Sequence, residues 1–331
     1  MIAQSSKSWA VVLAAGEGSR LHGLTRNSLG VVVPKQFCSL QGGPSLLQEA
    51  VQRAAAVAPL ERVCTVVAAQ HRQWWKRMLN CLPRPNIVVQ PHNRGTAHGI
   101  LMPLLNIASH DPDAVVTLLP SDHYISDESA FADSLRYAAA LACGDDRSIY
   151  LLGTEPDQAD PELGYIVPAS RSRGEPAPVL RFVEKPSGAV AESLLEQGAL
   201  WNIFILVASV RALLRLFERS MASAVRTMVA MDGLGESDLE LAYRYLPTVD
   251  FSRDVLQGQE AMLQVLPVPR CGWTDLGTPP RVAATLRRLS EMRVGPARRP
   301  NSSVHLNLAD RYRWLQRHGA DPRFGHADVH A

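Results

Sequence analysis

The stretch Trp9-Ala-Val-Val-Leu-Ala-Ala-Gly16-Glu-Gly18-Ser-Arg20-Leu21, followed by Val31-Val-Val-Pro34-Lys35-Gln36-Phe37, decides the reading of this chain. It begins as an apolar run of buried-strand length and breaks into a turn with two glycines. Glycines at such a turn let the backbone come close to a polyphosphate, whose oxygens the turn's N–H groups then bind. Arg20 and Lys35 would bring permanent positive charge to the same anion. Two commoner glycine loops do not fit. A dinucleotide fingerprint needs a third glycine where Leu21 stands, and a Walker loop needs a closing Gly-Lys-Ser/Thr. A Gly-x-Gly also occurs in plain strand-to-helix turns; the arginine and the Pro-Lys-Gln-Phe block favour the phosphate reading.

Outward from this turn, strands are expected at Ala10–Leu13, Arg62–Ala68, Ile87–Gln90, Val115–Pro120 and Tyr150–Gly153. Helices are expected between them at Leu46–Val57, Trp74–Leu79, Thr96–Ala108 and Ser129–Leu141. This alternation predicts an α/β fold, a doubly wound, mostly parallel sheet with helices on both faces. Ligands on such sheets bind beyond the carboxyl ends of the strands, where the Gly16 turn would sit. After Gly153 the pattern loosens, with strands at Gly164–Pro168, Val179–Glu184, Trp201–Val207 and Met262–Val268. Helices follow from Ala189, from Val210 and near Pro280. Residues 1–8 read as a polar N-terminal extension and 9–290 as one domain in two halves, 9–153 and 154–290. Residues 291–331 read as a polar tail, flexible or carrying a small docking helix around Arg311–Arg317. The arginines from Arg287 onward read as a solvated face.

A chain of 331 residues, 46% hydrophobic and 20% charged, can bury a substantial core. Its net charge of +2 gives no argument for a nucleic-acid or membrane partner. No apolar run reaches the roughly 18 residues of a spanning helix. The polar start Met1–Ser8 does not read as a secretory signal. Cys38, Cys64, Cys81, Cys143 and Cys271 are odd in number and scattered, without Cys-x-x-Cys spacing, and read as reduced thiols of a cytoplasmic protein.

Four further segments carry candidate chemistry. Val115–His123 is an apolar strand ending on Asp122, where a carboxylate faces the ligand crevice and can hold a divalent cation; a helix cap or turn acid is the plainer role. Asp275, in Trp273-Thr-Asp-Leu-Gly-Thr278, is a second such acid with the same plain alternative. Glu184-Lys185-Pro186 ends another strand, where Lys185 would bind a monophosphate and Glu184 a sugar hydroxyl, or the two form a surface ion pair. Gln90-Pro-His-Asn-Arg94-Gly95-Thr96-Ala97 opens a helix that Thr96 could cap, with Gln90 and the backbone placed to read a base edge. His98 and His123 read as ordinary packing or solvent-facing residues, and Trp74-Trp75 as one core ring and one exposed ring.

Taken in order, these segments resemble the sugar-1-phosphate nucleotidyltransferases, most closely the mannose-1-phosphate guanylyltransferase branch, over roughly residues 9–290. The likeness rests on the Gly16–Leu21 turn with Pro34–Phe37, on Gln90-Pro91 with Asn93–Ala97, and on Pro120–His123. Phe182–Pro186, Trp201-Asn202 and Trp273–Gly277 continue it. The resemblance implies a Rossmann-like sheet of the nucleotide-diphospho-sugar transferase type with an inserted sugar-binding subdomain. It places a nucleoside triphosphate on Ala14, Ala15, Gly16, Gly18 and Ser19, with Gln90, Gly95 and Thr96 reading the base. Arg20 and Lys35 would bind phosphates, Asp122 and Asp275 would hold Mg²⁺, and Lys185 would hold the sugar phosphate. Gly164, Glu184 and Asn202 would contact the sugar.

The implied reaction joins a sugar 1-phosphate to a nucleoside triphosphate, with GTP and mannose 1-phosphate as the leading pair. Another sugar phosphate (a heptose or glucose) and an inactive regulatory relative binding nucleotide-sugar are the alternatives. A nicotinamide oxidoreductase is disfavoured by Leu21. No isomerase activity is expected, because the chain stops short of the isomerase domain of longer bifunctional relatives, and homodimerisation stays open. There are departures. Ile203-Phe204 stands where Ser-Gly is usual, Pro161–Ile166 is short, Leu29–Val33 lacks the usual Ser/Arg, and Gln257 replaces a frequent acid.

Overall fold

Strand β1 (Ser8–Ala14) pairs in parallel with β2 (Val63–Ala68) on one side and β4 (Val115–Pro120) on the other; β3 (Ile87–Gln90) extends the sheet beyond β2. The computed structural model describes residues 7–27, 29–170, 174–231, 233–292 and 306–317. Ser8 already pairs with Val115, so the first strand begins inside the segment read as an extension. The rest of that extension, residues 1–6, lies outside the described residues.

The remaining strands are β5 (Ile149–Thr154), β6 (Gly164–Pro168), β7 (Ala177–Val183), β8 (Leu200–Ser209) and β9 (Leu263–Pro267), completing a nine-stranded sheet of order β3-β2-β1-β4-β8-β5-β9-β7-β6. The expected parallel frame is present, with one inverted strand inside it. β8 runs antiparallel to both β4 and β5. The chain leaves β5 at its carboxyl end, builds the β6–β7 hairpin there, and so enters β8 from the end where the parallel strands stop. The expected insertion is therefore continuous with the main sheet, since β6 pairs with β8 and β7 with β9.

Ten helices flank this sheet among the described residues: α1 (His22–Thr25), α2 (Leu46–Ala54), α3 (Arg72–Met78), α4 (Gly95–His110), α5 (Glu128–Ala142), α6 (Gly188–Glu196), α7 (Val210–Ala230), α8 (Glu236–Arg244), α9 (Pro279–Met292) and α10 (Leu308–Arg317). Strand period sets which face each side chain joins. Ala10, Val12 and Ala14 of β1 pack into the core beneath α2, α3, α5 and α9, whereas Val11 packs on the side of α4, α7 and α8. Ser45 starts α2 with a reciprocal cap, its hydroxyl accepting from Gln48 N–H at 3.3 Å while the Gln48 side chain accepts from Ser45 N–H at 3.0 Å. Leu163, Tyr165, Ala191, Leu194 and Trp201 form a small separate core under α6. Trp75 is buried and donates to Ala68 O, while Trp74 is half-buried against the same core rather than exposed.

Two elements depart from the sequence reading. α8 was not anticipated, because Glu236–Arg244 is polar and buries little beyond Tyr243. Within the segment read as a polar tail, residues 306–317 dock: Leu308 N–H and Ala309 N–H bond to Ser39 O and Leu40 O, and Leu308 and Leu315 join the main core. This is the docking helix of the two alternatives, and the tail around it lies outside the described residues. No described helix is long and apolar enough to cross a membrane.

Candidate active site

A cleft of about 560 Å³ opens at the carboxyl ends of β1 and β4, where a doubly wound sheet binds its ligands. Its floor is the glycine turn. Gly18 adopts φ +64°, a conformation that favours glycine, and the Lys35 backbone lies against it. The turn is held from below by Gln36, whose buried amide donates to Ala14 O at 2.9 Å and Gly16 O at 2.8 Å. Pro-Lys-Gln-Phe thus acts through its glutamine as well as its lysine, a role sequence reasoning missed. Ala15, Gly16 and Gly18 line the cleft; Ala14 ends β1 beneath it and Ser19 begins the next turn. Arg20 stands half-exposed at the rim and pairs with Glu162 across the mouth.

Lys35 is placed differently from the sequence reading. Its side chain is nearly buried, and its ammonium meets Asp122 Oδ2 at 3.0 Å, Asp275 O at 2.8 Å and Leu276 O at 3.1 Å. An ammonium has three protons, and all three have acceptors here. In this arrangement Lys35 ties the strand-end acid to the Trp273–Gly277 loop. Burial opposes the charge on Asp122, but Lys35 and then His123 outweigh it and hold the carboxyl below its ordinary value. His123 is buried beside these groups and pushed down to about 4, by desolvation against the pull of Asp122 and Asp275. The Trp273 indole can only donate, so His123 Nδ1, 3.1 Å away, is the acceptor and the ring proton sits on Nε2, facing Asp122. Asp275 bonds to Arg281, which also holds Asp160.

Asp122 and Asp275 both line the cleft. Among the described residues no group of three or more His, Cys, Asp or Glu could hold a metal ion. The donor set fits Mg²⁺ only in the form that ion prefers, with carboxylates on one side and phosphate oxygens and water on the other.

At one end of the cleft lie Gln90, Asn93, Gly95, Thr96 and Gly99. Thr96 does not cap its helix. α4 starts at Gly95 after Arg94, and the Thr96 hydroxyl instead accepts from Phe251 N–H at 2.8 Å. At the other end Gly164, Glu184, Lys185 and Asn202 line the cleft together, joined by Phe204 and Asp250. A Cβ on Gly164 would lie 2.6 Å from Glu184 Oε2 and 3.3 Å from Asn202 Cβ, so its hydrogen makes room for both. Lys185 takes φ +46° and holds its ammonium 3.9 Å from Glu184. Gln257 accepts from Glu184 N–H at 3.2 Å; an acid there would add negative charge beside Glu184 and Asp250.

The Ile203-Phe204 departure has a structural form. Between the pairs Leu151–Leu206 and Gly153–Asn202, β8 carries two extra residues, and Phe204 sits in this bulge at φ +56°. The Asn202 side chain accepts from Phe204 N–H at 3.1 Å and stabilises the bulge, so its one carbonyl oxygen is engaged within the strand. The Phe204 ring lines the cleft and meets Phe251 edge-on.

Burial raises Glu184 from 4.5 to about 7, against the opposing pull of Lys185. The folded state therefore holds a proton that the unfolded chain loses near 4.5. Stability falls as pH rises from about 4.5 to 7, by ~3 kcal/mol. Denaturant unfolding at pH 5 and pH 8 should show this loss in the parent protein, and Glu184→Gln should lack Glu184's part of it; burial also raises Glu49 to about 7, so the part due to Glu49 remains in both proteins. Equal pH dependence in both proteins refutes the assignment.

Residues 9–289 match the family model described as nucleotidyl transferase. Over 281 residues the chain is 34% identical to the xanthan biosynthesis protein XanB of Xanthomonas campestris pv. campestris, spanning 81% of this chain and 57% of that protein. It is 34% identical over 203 residues to the mannose-1-phosphate guanylyltransferase of Klebsiella pneumoniae, covering 58% and 41% of the two chains. A solved structure from Thermus thermophilus, described as a mannose-1-phosphate geranyltransferase, superposes with a TM-score of 0.71 at 26% identity, covering 84% of this chain and 79% of that one. The chain spans about half the length of the curated relatives it matches.

Proposed function

Because the chain belongs to the nucleotidyl transferase family, we propose that it transfers a nucleotidyl group from GTP to mannose 1-phosphate, releasing pyrophosphate and forming a nucleotide-sugar. One observation carries this reading: one cleft joins a glycine turn, a lysine locked between Asp122 and the Asp275 loop, and a Glu184-Lys185 pair beside Asn202. Guanine and mannose rest on the names of relatives at moderate identity. The product would serve polysaccharide biosynthesis, by analogy with the relative described as a xanthan biosynthesis protein, and we place the chain in the cytoplasm.

The chemistry needs no general base, since a phosphate monoester with a second pKa of about 6 is already anionic at neutral pH. The protein's task is alignment and charge. Lys185 holds the sugar phosphate with its oxygen in line with the α-phosphate. Arg20, released from Glu162, stabilises charge on the departing pyrophosphate. Lys35 keeps Asp122 and the Asp275 loop in register. Mg²⁺ held by Asp122 and Asp275 would polarise the α-phosphate. Glu184, neutral below about pH 7, donates a hydrogen bond to a sugar hydroxyl. The Phe204 ring favours a second reading for the sugar alone, a heptose or another hexose, because an aromatic wall stands where the family usually has glycine.

The test is pyrophosphate release with Mg²⁺ from GTP, CTP, UTP, dTTP and ATP, each against mannose, glucose and heptose 1-phosphates. Release with GTP and mannose 1-phosphate supports the proposal. Release with another pair replaces the substrates and keeps the reaction, and silence across the panel rejects it.

A further inference from the structure

The base-reading end of the cleft is assembled by an element the sequence did not reveal. Gln90, the last residue of β3, is buried, and its Nε2 donates to Tyr243 Oη of α8 at 2.7 Å. On the opposite side, a Cβ at Gly99 would stand 3.0 Å from Gln90 Oε1 and 3.1 Å from Nε2, so glycine leaves the amide the room it occupies. Tyr243 is itself fully buried in the core between α4 and α7.

The chain around α8 is stitched to the same loop. Arg94 donates to Arg244 O, Val249 N–H donates to Arg94 O at 3.2 Å, and Ala97 N–H donates to Val249 O at 3.2 Å. His92 lies 3.6 Å from Glu240. The wall bearing Tyr243 and the loop after Gln90 are therefore bonded to each other at several points.

A primary amide offers a carbonyl acceptor on one side and two N–H donors on the other, and a rotation of half a turn exchanges them. With one Nε2 proton donated to Tyr243, the carbonyl oxygen is fixed on the other side of the amide as its acceptor for a ligand. We infer that Tyr243 is a positioning residue for base selection: it orients the Gln90 amide so that its carbonyl oxygen faces the base, selecting an edge that presents N–H donors, as guanine does with its ring N–H and 2-amino group. This rests on the nucleotidyl-transfer reading above and adds to it the device that chooses the base.

Tyr243→Phe keeps the ring and removes the acceptor; Gly99→Ala presses on the same amide from the other helix. Calorimetric binding of GTP, ITP, ATP and UTP without sugar phosphate tests both variants. GTP binding should weaken about tenfold in each, the loss expected of one hydrogen bond, and the GTP-over-ATP ratio should collapse toward unity. Unchanged base selectivity in both variants overturns the inference, as does an equal loss for every nucleotide, which a structural role would produce. If Tyr243→Phe fails to fold, Gly99→Ala decides the matter by the same ratio. A parent protein that binds no nucleotide rejects the functional reading itself. One that selects another base, with selectivity lost in both variants, rejects guanine and keeps the positioning role.

Discussion

Asp122→Asn is expected to lower turnover by at least about a hundredfold while the protein stays folded. Asparagine keeps the shape of the side chain and removes the charge that, on the proposed reading, would face the phosphates. Lys35, 3.0 Å from that carboxylate, keeps its two carbonyl acceptors on Asp275 and Leu276, so the loop remains tied. What disappears is the anion that would hold Mg²⁺ against the α-phosphate. Removing one preorganised electrostatic contact from a transition state commonly costs about 3 kcal/mol, which is roughly a hundredfold or more. Pyrophosphate release measured beside circular dichroism checks both halves of the statement. Turnover within threefold of the parent would remove Asp122 from the reacting centre.

Gly95→Ala should have the largest effect on the fold of the site. Gly95 takes φ +81°, and a Cβ there would collide with the Val249 carbonyl oxygen and lie 2.7 Å from its carbon. The strained backbone alone costs about 1–2 kcal/mol, and the collision adds to it. A total near 3 kcal/mol is expected, with more than tenfold weaker nucleotide binding, because Val249 and Phe251 hold in place the loop proposed to read the base. Gly43→Ala is the control. Gly43 also has positive φ, +107°, but nothing lies within 4 Å of its Cβ position, so that variant carries strain without collision. Thermal unfolding compares the two. Equal losses would mean that the contact with Val249 is not what makes Gly95 necessary.

Legibility of the fold followed burial. A strand buried on both faces, Val115–Pro120, ended where the sequence reading put it, because a long apolar run admits few other places. α8 escaped notice because its apolar face is short, Leu239, Ala242 and Tyr243 set among charged residues, and of these only Tyr243 is fully buried. β8 was found as a strand, but its direction and two-residue bulge depend on where the inserted hairpin returns the chain. Within the site, Gly16, Gly18, Asp122, Glu184 and Lys185 were legible because turn glycines and strand-end charges leave local signals. Partnerships across the chain were not: Lys35 with Leu276, Gln36 with Gly16, and Arg281 with Asp160 and Asp275.

The sequence by itself determined the elements, the turn that can cradle phosphate and the acids and lysines that gather near it, since each follows from short-range pattern and intrinsic backbone preference. Only the tertiary structure decided that Lys35 is a tie between two loops, that Thr96 braces Phe251 instead of capping its helix, and that Tyr243 governs Gln90. Those roles are hydrogen bonds between residues as many as 241 positions apart. No local signal encodes such a bond; it exists once packing has brought donor and acceptor to about 3 Å and shut out the water that would otherwise satisfy them.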